Sequence, residues 1–223
     1  MWILGACAIA AGQTKTPPDA DFFPMTRGTY WVYRGRVAWG DEKEATVEWK
    51  SEVVESATRG RFKIAVLLGH PWDLPWYEPG RGRGCYLLIA DSNTRFYLTQ
   101  DEGACSIPEG EPGEDLTDYQ NLILVMPAKA GDLFGQDPEA PPREDTMYAW
   151  SVDKLENAPL AGIKGVAPAI PRTACVLRYS TFPDHQIVTY VPGIGVTAYE
   201  YMHHGTVSAV DVKLVEFHAS SLP

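Results

Sequence analysis

Apolar and polar residues alternate along most of this chain, in short runs bounded by glycine, proline, asparagine and aspartate. The clearest alternation covers residues 44–55, where one face holds Ala45, Val47, Trp49 and Val53. A period of two is typical of a β-strand with one buried face and one solvated face. Windows with helical spacing are scarce, so the pattern predicts an all-β protein.

The same pattern predicts about ten antiparallel strands in one strongly curved sheet or half-barrel. The stretch 60–68 is read with Phe62, Ile64, Val66 and Leu68 facing inward. The remaining strands are expected near 29–39, 84–90, 95–100, 122–126 and 146–155, and in a four-strand meander over 173–218.

The end of this meander is predicted to be a hairpin that turns at His204-Gly205-Thr206. Simple alternation puts Val196, Ala198 and Met202 on one face, and Thr197, Tyr199, Tyr201 and His203 on the other. In the last strand Val210, Val212 and Leu214 alternate with polar residues, which predicts that these three point into the core.

Two eight-residue stretches share the pattern P-x-x-x-G-x-x-aromatic. One is Pro24–Trp31 and the other is Pro127–Phe134. Each reads as a Pro/Gly turn that delivers a large aromatic side chain into the core. Their placement predicts a duplicated β-unit, with halves at about 22–101 and 122–218 inside a single domain of residues 21–223.

The formal net charge of −10 and the pI near 4.9 change the functional picture. A nucleic-acid surface needs a basic stripe, and a polybasic membrane patch needs clustered lysines and arginines. The composition therefore argues against both, and any membrane association is expected to run through a lipid anchor alone.

Residues 1–20 read as the tail of a secretory signal followed by a polar linker. Leu4-Gly5-Ala6-Cys7 is similar to a bacterial lipobox, which makes Cys7 the candidate lipidated residue. Ala8-Ile9-Ala10 is a competing cleavage site, and a disordered cytosolic terminus is a third interpretation. The first interpretation predicts a truncated or misassigned start, and a location in the periplasm or at the outer surface of a bacterial membrane.

The remaining cysteines are Cys85, Cys105 and Cys175. A disulfide between Cys85 and Cys105 fits an oxidising compartment, and two buried free thiols fit equally well because sequence cannot fix connectivity. Cys175 lies among apolar neighbours, which favours packing over reactivity.

Sequence motifs for catalysis are missing from the chain. It has no HExxH, Cys-x-x-Cys, EF-hand or G-x-S-x-G spacing. His203 and His204 are adjacent, and neighbours in a strand point to opposite faces, so one metal ion does not readily take both. The sequence therefore predicts no catalytic residues, no metal and no cofactor.

The loop of residues 70–84 is the best candidate for binding. It combines aromatic side chains with a compact pair of arginines, a combination that binding hot spots use. These residues are Trp72, Trp76, Tyr77, Arg81 and Arg83. We expect them to border the concave face and the arginines to meet an anionic group. The alternative is that the aromatics only cap an open end of the sheet.

Several short motifs resemble a group of uncharacterised bacterial cell-envelope proteins. These proteins show a "PLKxGNxW" turn near the start, a second such turn in mid-chain, a Cys-containing strand (here Thr173–Arg178) and a "Y-x-PG-[VI]-G" entry to the last hairpin (here Tyr190–Gly195). The resemblance implies a curved antiparallel sheet similar to lipoprotein carriers of the LolA type, and it implies no catalytic residues.

The sequence leaves three functions open. The first is a non-enzymatic envelope protein that holds a lipid or another apolar ligand in a concave sheet. The second is an interaction or scaffolding module for another envelope protein, acting through the 70–84 loop or an open edge strand. A hydrolase ranks last. A large apolar concavity would favour the first function, and a filled core would favour the second.

Overall fold

The computed structural model describes residues 22–40, 43–101, 105–141, 143–167, 171–204 and 207–220. These residues form twelve β-strands and one short 3₁₀ helix, Pro71–Trp76. The strands are β1 (Tyr30–Trp39), β2 (Glu44–Arg59), β3 (Phe62–Leu68), β4 (Cys85–Asp91), β5 (Arg95–Asp101), β6 (Leu122–Val125), β7 (Leu133–Phe134), β8 (Trp150–Asn157), β9 (Thr173–Ser180), β10 (His185–Val191), β11 (Gly195–Met202) and β12 (Val207–His218). Within the described residues, no helix is long and apolar enough to cross a membrane.

All strands belong to one antiparallel sheet whose order follows the chain, and β12 pairs with β1. The sheet curls so far that its two edge strands, β6 and β7, contact each other without forming a ladder. The predicted all-β fold with one strongly curved antiparallel sheet is confirmed, with twelve strands instead of about ten. The shortest strand, β7, has only two residues, which is too short to show any alternation.

The inside of the curved sheet is filled with side chains. Tyr33, Phe96, Tyr190 and Tyr199 are among the largest that are fully buried. The central cavity, which Tyr33 and Tyr190 help to line, has a volume of only about 20 Å³, roughly the space of one water molecule. The interior is therefore a packed core.

Strand β3 is buried on both faces. The face that was predicted to point inward points away from the main core. Ala65 and Leu67 point into the main core, whereas Phe62, Ile64 and Val66 form a second cluster on the other side of the sheet. That cluster also contains Leu87, Ile89 and Tyr97, and it is covered in part by Ile107 and Leu116 from the β5–β6 connection. The prediction of β3 was wrong because both faces of the strand carry mainly apolar residues, and the single polar residue, Lys63, lies at the start of the face that points into the core.

Strand β11 also departs from simple alternation. A register shift opposite Thr189 and Tyr190 leaves Thr197 as an extra residue. Such a bulge reverses the parity of the side chains beyond it. Val196 and Tyr199 are therefore both in the main core, and Met202 is exposed. The predicted grouping of Val196 with Met202 was wrong for this reason. The prediction for Val210, Val212 and Leu214 is confirmed, since all three are buried in the main core.

The two Pro/Gly turns have the same hydrogen bonds. Gly28 N–H donates to the Val53 carbonyl of β2 and Gly131 N–H donates to the Val152 carbonyl of β8, both at 2.8 Å. Both glycines have positive φ, +87° and +90°, which a side chain would strain.

The reciprocal bonds match as well. The Val53 and Val152 amides donate to the carbonyls of Thr29 and Asp132. In chain order, β8 is the sixth strand after β2, and β7 is the sixth strand after β1. Trp31 and Phe134, which end the two motifs, are both buried. These equivalences support the duplicated unit.

One end of the curved sheet is closed by the residues that precede β1. Phe22, Phe23 and Met25 are buried there, and the Phe23 ring lies against the rings of Phe96 and Tyr190. The Phe22 backbone connects opposite sides of this end, because its N–H donates to the Asn93 side chain and its carbonyl accepts from Gly193 N–H. We call this the closed end.

Candidate functional site

The other end of the sheet, which we call the open end, carries three long connections. Because every paired neighbour is antiparallel, the connections that follow the odd-numbered strands all meet there. They include the β3–β4 connection, which holds the predicted binding loop, together with the long β5–β6 and β7–β8 connections.

The predicted binding loop has a defined conformation. The His70 ring accepts the Trp72 N–H at the start of the 3₁₀ helix. The buried Asp73 carboxylate accepts the Gly84 N–H at 3.0 Å and the Tyr86 hydroxyl at 2.6 Å. These bonds tie the start of the loop to its end and to β4.

Burial perturbs two of these groups. His70 is buried, which lowers its pKa to about 3 because desolvation disfavours the charged ring. The imidazole therefore stays neutral, as an acceptor for Trp72 N–H requires. Burial, followed by the hydrogen bond to Asp73, raises the pKa of Tyr86 well above its usual value. Both groups therefore act as structural supports at neutral pH.

The five predicted site residues separate into two groups. Trp72, Trp76 and Arg81 line a cavity of about 440 Å³ at the open end. Trp76 is 56% exposed. The Arg81 guanidinium donates to the Trp76 carbonyl at 2.6 Å, which ties its side chain to the last residue of the 3₁₀ helix.

The other two residues pack against the sheet. The Tyr77 ring lies between the rings of Trp39 and Trp49. The Arg83 guanidinium donates to the carbonyls of Lys50 and Leu68. In this geometry Arg83 secures the loop to β2 and β3.

Aromatic rings continue from the loop across the open end. The ring of Trp72 is parallel to that of Trp150, with centroids 6.1 Å apart, and Trp150 contacts Tyr179 at 5.3 Å. Farther along the sheet, the ring of Tyr201 at the end of β11 stacks on that of His203. The loop aromatics are thus one part of a larger aromatic surface.

Three cavities adjoin along this surface. The first, of about 440 Å³, shares Gln120 with a second of about 400 Å³. It also shares Gln186 and Tyr201 with a third of about 160 Å³. We call these three cavities together the mouth. Besides the loop, the residues that line it include Tyr86, Gln100, Tyr119, Gln120, Asn121, Arg143, Tyr148, Trp150, Tyr179, Asp184, Gln186, Tyr199, Tyr201 and His203.

Exposed apolar side chains also gather at the open end. Four of the six large apolar residues that stand exposed among the described residues lie there: Trp76, Tyr148, Phe182 and Met202. Phe182, in the β9–β10 turn, is 81% exposed. Contiguous exposed apolar surface is typical of an interaction site.

The ionised groups of the mouth are held by internal partners. The Asp184 carboxylate accepts the His204 N–H at 2.7 Å and lies 2.6 Å from His203 Nδ1, and these bonds lower its pKa. The Arg143 guanidinium makes a two-pronged ion pair with Asp145. Within the described residues, no three histidine, cysteine or acidic side chains are close enough to hold a metal ion.

A disulfide joins Cys85 at the start of β4 to Cys105. It fixes the start of the β5–β6 connection. Later residues of this connection cover the second apolar cluster, and Tyr119, Gln120 and Asn121 then line the mouth. Cys175 is buried, and burial raises its pKa to about 11, so it is an unreactive thiol at neutral pH. Cys7, the candidate lipidation site, lies outside the described residues.

The sequence reasoning did not identify the residues that the sheet contributes to the mouth. Trp150, Tyr179, Tyr199 and Tyr201 were read only as strand residues. All of them lie toward the open-end side of β8, β9 and β11. Consecutive strands of an antiparallel sheet run in opposite directions, so the predicted strand order could have placed these residues at the same end of the sheet.

The sequence matches no protein-family model and no curated protein. Two solved structures are similar to the fold: a predicted lipoprotein of Parabacteroides distasonis, with 13% identity and a TM-score of 0.41, and a predicted exported protein with a YmcC-like fold from Bacteroides fragilis, with 13% identity and a TM-score of 0.42. Each alignment covers 89% of this chain and 99% of the other. At TM-scores below 0.5, neither likeness says what this chain binds.

Proposed function

We propose that this chain is a non-enzymatic binding protein of the bacterial envelope, which recognises its ligand or partner through the mouth. The observation that carries the proposal is the contrast between a filled interior and an open end rich in exposed aromatic residues. Trp, Tyr and Arg are the residue types that dominate binding energy in recognition sites, and Trp72, Trp76 and Arg81 meet there.

The packed interior argues against the first of the sequence-based functions. An acyl chain needs a deep apolar cavity, and the central cavity measures about 20 Å³. The larger cavities are open and lie outside the core. The geometry thus favours recognition at a surface over storage of a lipid inside the sheet.

An envelope location is supported by the chemistry of the cysteines. The disulfide between Cys85 and Cys105 is typical of proteins that fold in an oxidising compartment, such as the periplasm or the cell surface. A lipid anchor at Cys7 would hold such a protein at a membrane. Extending the reading frame upstream tests the anchor, because a lipoprotein signal requires a basic segment followed by an apolar one.

Photo-crosslinking in the producing organism tests the mouth directly. We would replace Trp76 with a benzophenone amino acid and illuminate intact cells. The matched control is Leu155 on β8, which is also exposed and does not line the mouth. We expect adducts from position 76, little from position 155, and loss of the adduct when Trp72→Ala is added.

Two other outcomes would contradict the proposal. Equal adducts at both positions would indicate non-specific contact, and no adduct at position 76 would leave the mouth without a partner. Native mass spectrometry of gently purified protein separates the alternatives further, because a retained lipid would favour the lipid carrier.

A further inference from the structure

We infer that the ligand of the mouth is an uncharged saccharide chain, bound across its three cavities. The inference rests on the proposed function and names the ligand class. It depends on the aromatic surfaces, the neutral amides, the internal pairing of the charged groups and the continuity of the cavities.

The aromatic surfaces suit sugar rings. One face of a pyranose carries C–H groups, which are apolar and slightly positive, and the face of an aromatic ring is slightly negative. Trp76 presents a largely exposed indole at one side of the mouth, and Tyr148 is exposed at another. Tyr201 is half-buried between the first and third cavities. Each cavity therefore offers at least one ring on which a sugar can stack.

Neutral amides stand among these rings. Gln100, Gln120, Asn121 and Gln186 all line the first cavity. Gln120 donates to the Tyr119 hydroxyl, and Gln186 accepts from the Tyr199 hydroxyl. A primary amide has two N–H groups and an oxygen with two lone pairs, so each keeps capacity for a ligand. Sugar hydroxyls both donate and accept, which matches this set of groups.

The charged groups of the mouth favour a ligand without charge. Arg143 is paired with Asp145, and the two oxygens of Asp73 accept from Gly84 N–H and the Tyr86 hydroxyl. Arg81 donates to the Trp76 carbonyl, a neutral partner that leaves its positive charge in place. The protein as a whole carries a formal net charge of −10, which repels anionic ligands at long range. An acidic ligand would therefore meet long-range repulsion from the protein. Of the two arginines that line the mouth in the described part of the chain, Arg143 is paired with a carboxylate, and Arg81 alone would attract such a ligand locally.

The continuity of the cavities favours a chain over a single sugar. The first cavity shares residues with both of the others, so a ligand in the first can extend on either side without leaving the aromatic surface. Linked binding units raise the affinity of each further unit, because its binding becomes intramolecular. We therefore expect longer oligosaccharides to bind more tightly than disaccharides.

The adduct formed at position 76 identifies the ligand class. A saccharide adduct carries vicinal diols that periodate oxidises, so it reacts with a hydrazide dye after periodate and yields no foreign peptides after proteolysis. This result is expected. An adduct that yields foreign peptides, or one that releases fatty acid on hydrolysis, overturns the saccharide assignment and leaves the proposed function standing. If position 76 forms no adduct, both proposals fail.

Binding to an array of neutral glycans gives the second measurement. At roughly 0.1 mM of the full-length protein, a concentration that detects dissociation constants near that value, we expect retention on at least one neutral polysaccharide. Trp76→Ala should weaken binding about tenfold, and Trp76→Phe should recover part of the loss because it keeps a ring. Leu155→Ala is the control. Absence of binding to every neutral glycan, or binding that Trp76→Ala leaves unchanged, overturns the inference.

Discussion

The two ends of the curved sheet are built from similar residue types and use them in opposite ways. At the closed end the aromatic residues Phe22 and Phe23 are buried, and the Phe22 backbone is hydrogen-bonded to turns on both sides of the sheet. At the open end Trp76 and Phe182 are exposed to solvent.

The difference teaches that aromatic content alone does not predict binding. The closed end uses aromatic rings to fill space, and its backbone polar groups are satisfied by neighbouring turns. The open end carries rings on connections whose backbones are held by internal bonds, such as those of Asp73. Its rings are therefore free to meet a ligand without loss of the fold.

The largest expected effect is at the closed end. Trp31 is buried and its indole N–H donates to the Ile194 carbonyl. Trp31→Ala should lower the free energy of unfolding by about 3–5 kcal/mol, as for other buried large aromatics. Urea denaturation measures this, with Leu155→Ala as an exposed control expected to change stability by less than about 0.5 kcal/mol. Similar values for the two variants would contradict the packing described here.

The disulfide gives the next effect, on the side of the open end. Replacing both Cys85 and Cys105 with Ala should lower the free energy of unfolding by about 3 kcal/mol, because a loop of this size is no longer constrained in the unfolded chain. Thermal unfolding of the variant in the absence of reductant measures the loss. The wild-type protein in reductant is the control, and it should match the variant. A wild-type protein that is unaffected by reductant would argue against the bond.

His70 predicts a dependence on pH. Its folded pKa of about 3 lies below the usual value of 6.5, so the unfolded chain binds this proton more readily. The contribution of His70 to the free energy of unfolding is fully present above pH 6.5 and is lost as the pH falls toward 3. The free energy of unfolding should therefore drop by about 2 kcal/mol between pH 8 and pH 5. His70→Gln should flatten that part of the profile of unfolding free energy against pH. An identical slope in both proteins would show that another group is responsible.

The smallest effects distinguish two arginines in one loop. Arg83 bonds two carbonyls of the sheet, so Arg83→Ala should cost about 1 kcal/mol of stability. Arg81 is exposed, so Arg81→Ala should stay within about 0.5 kcal/mol. Denaturation curves of the two single variants provide the comparison. The reverse order would mean that the loop is held differently, and Arg81→Ala is the cleaner variant for any binding study.

Much of the sheet was predictable because half-buried strands show their period directly. Strand β2 is an example: Val47, Trp49 and Val53 were predicted to share a face, and all three are buried in the main core. The pattern failed at β3, where both faces are apolar, and at β11, where one extra residue reverses the parity. Neither feature leaves a local signal, since each depends on what another part of the chain covers or pairs with.

The candidate site was predictable only in part for a related reason. The loop supplied its own signal, since aromatics and arginines lie within a few residues of Trp72. The remainder of the mouth comes from β8, β9 and β11, which are far away in sequence. Residues such as Trp150 and Tyr201 meet the loop only because the sheet curls. Curvature is a property of the whole sheet, and no single stretch encodes it.

The pairing of β1 with β12 has a consequence for how the chain folds. The first and last strands of the sheet are neighbours at its centre, with Tyr30 paired to His218. Contacts across so many residues slow folding, and no ribosome-bound fragment can form them before the end of the chain has emerged. A chain that lacks β12 would leave one edge of β1 and one edge of β11 unpaired, which invites aggregation. The sheet is therefore complete only after β12 has been synthesised.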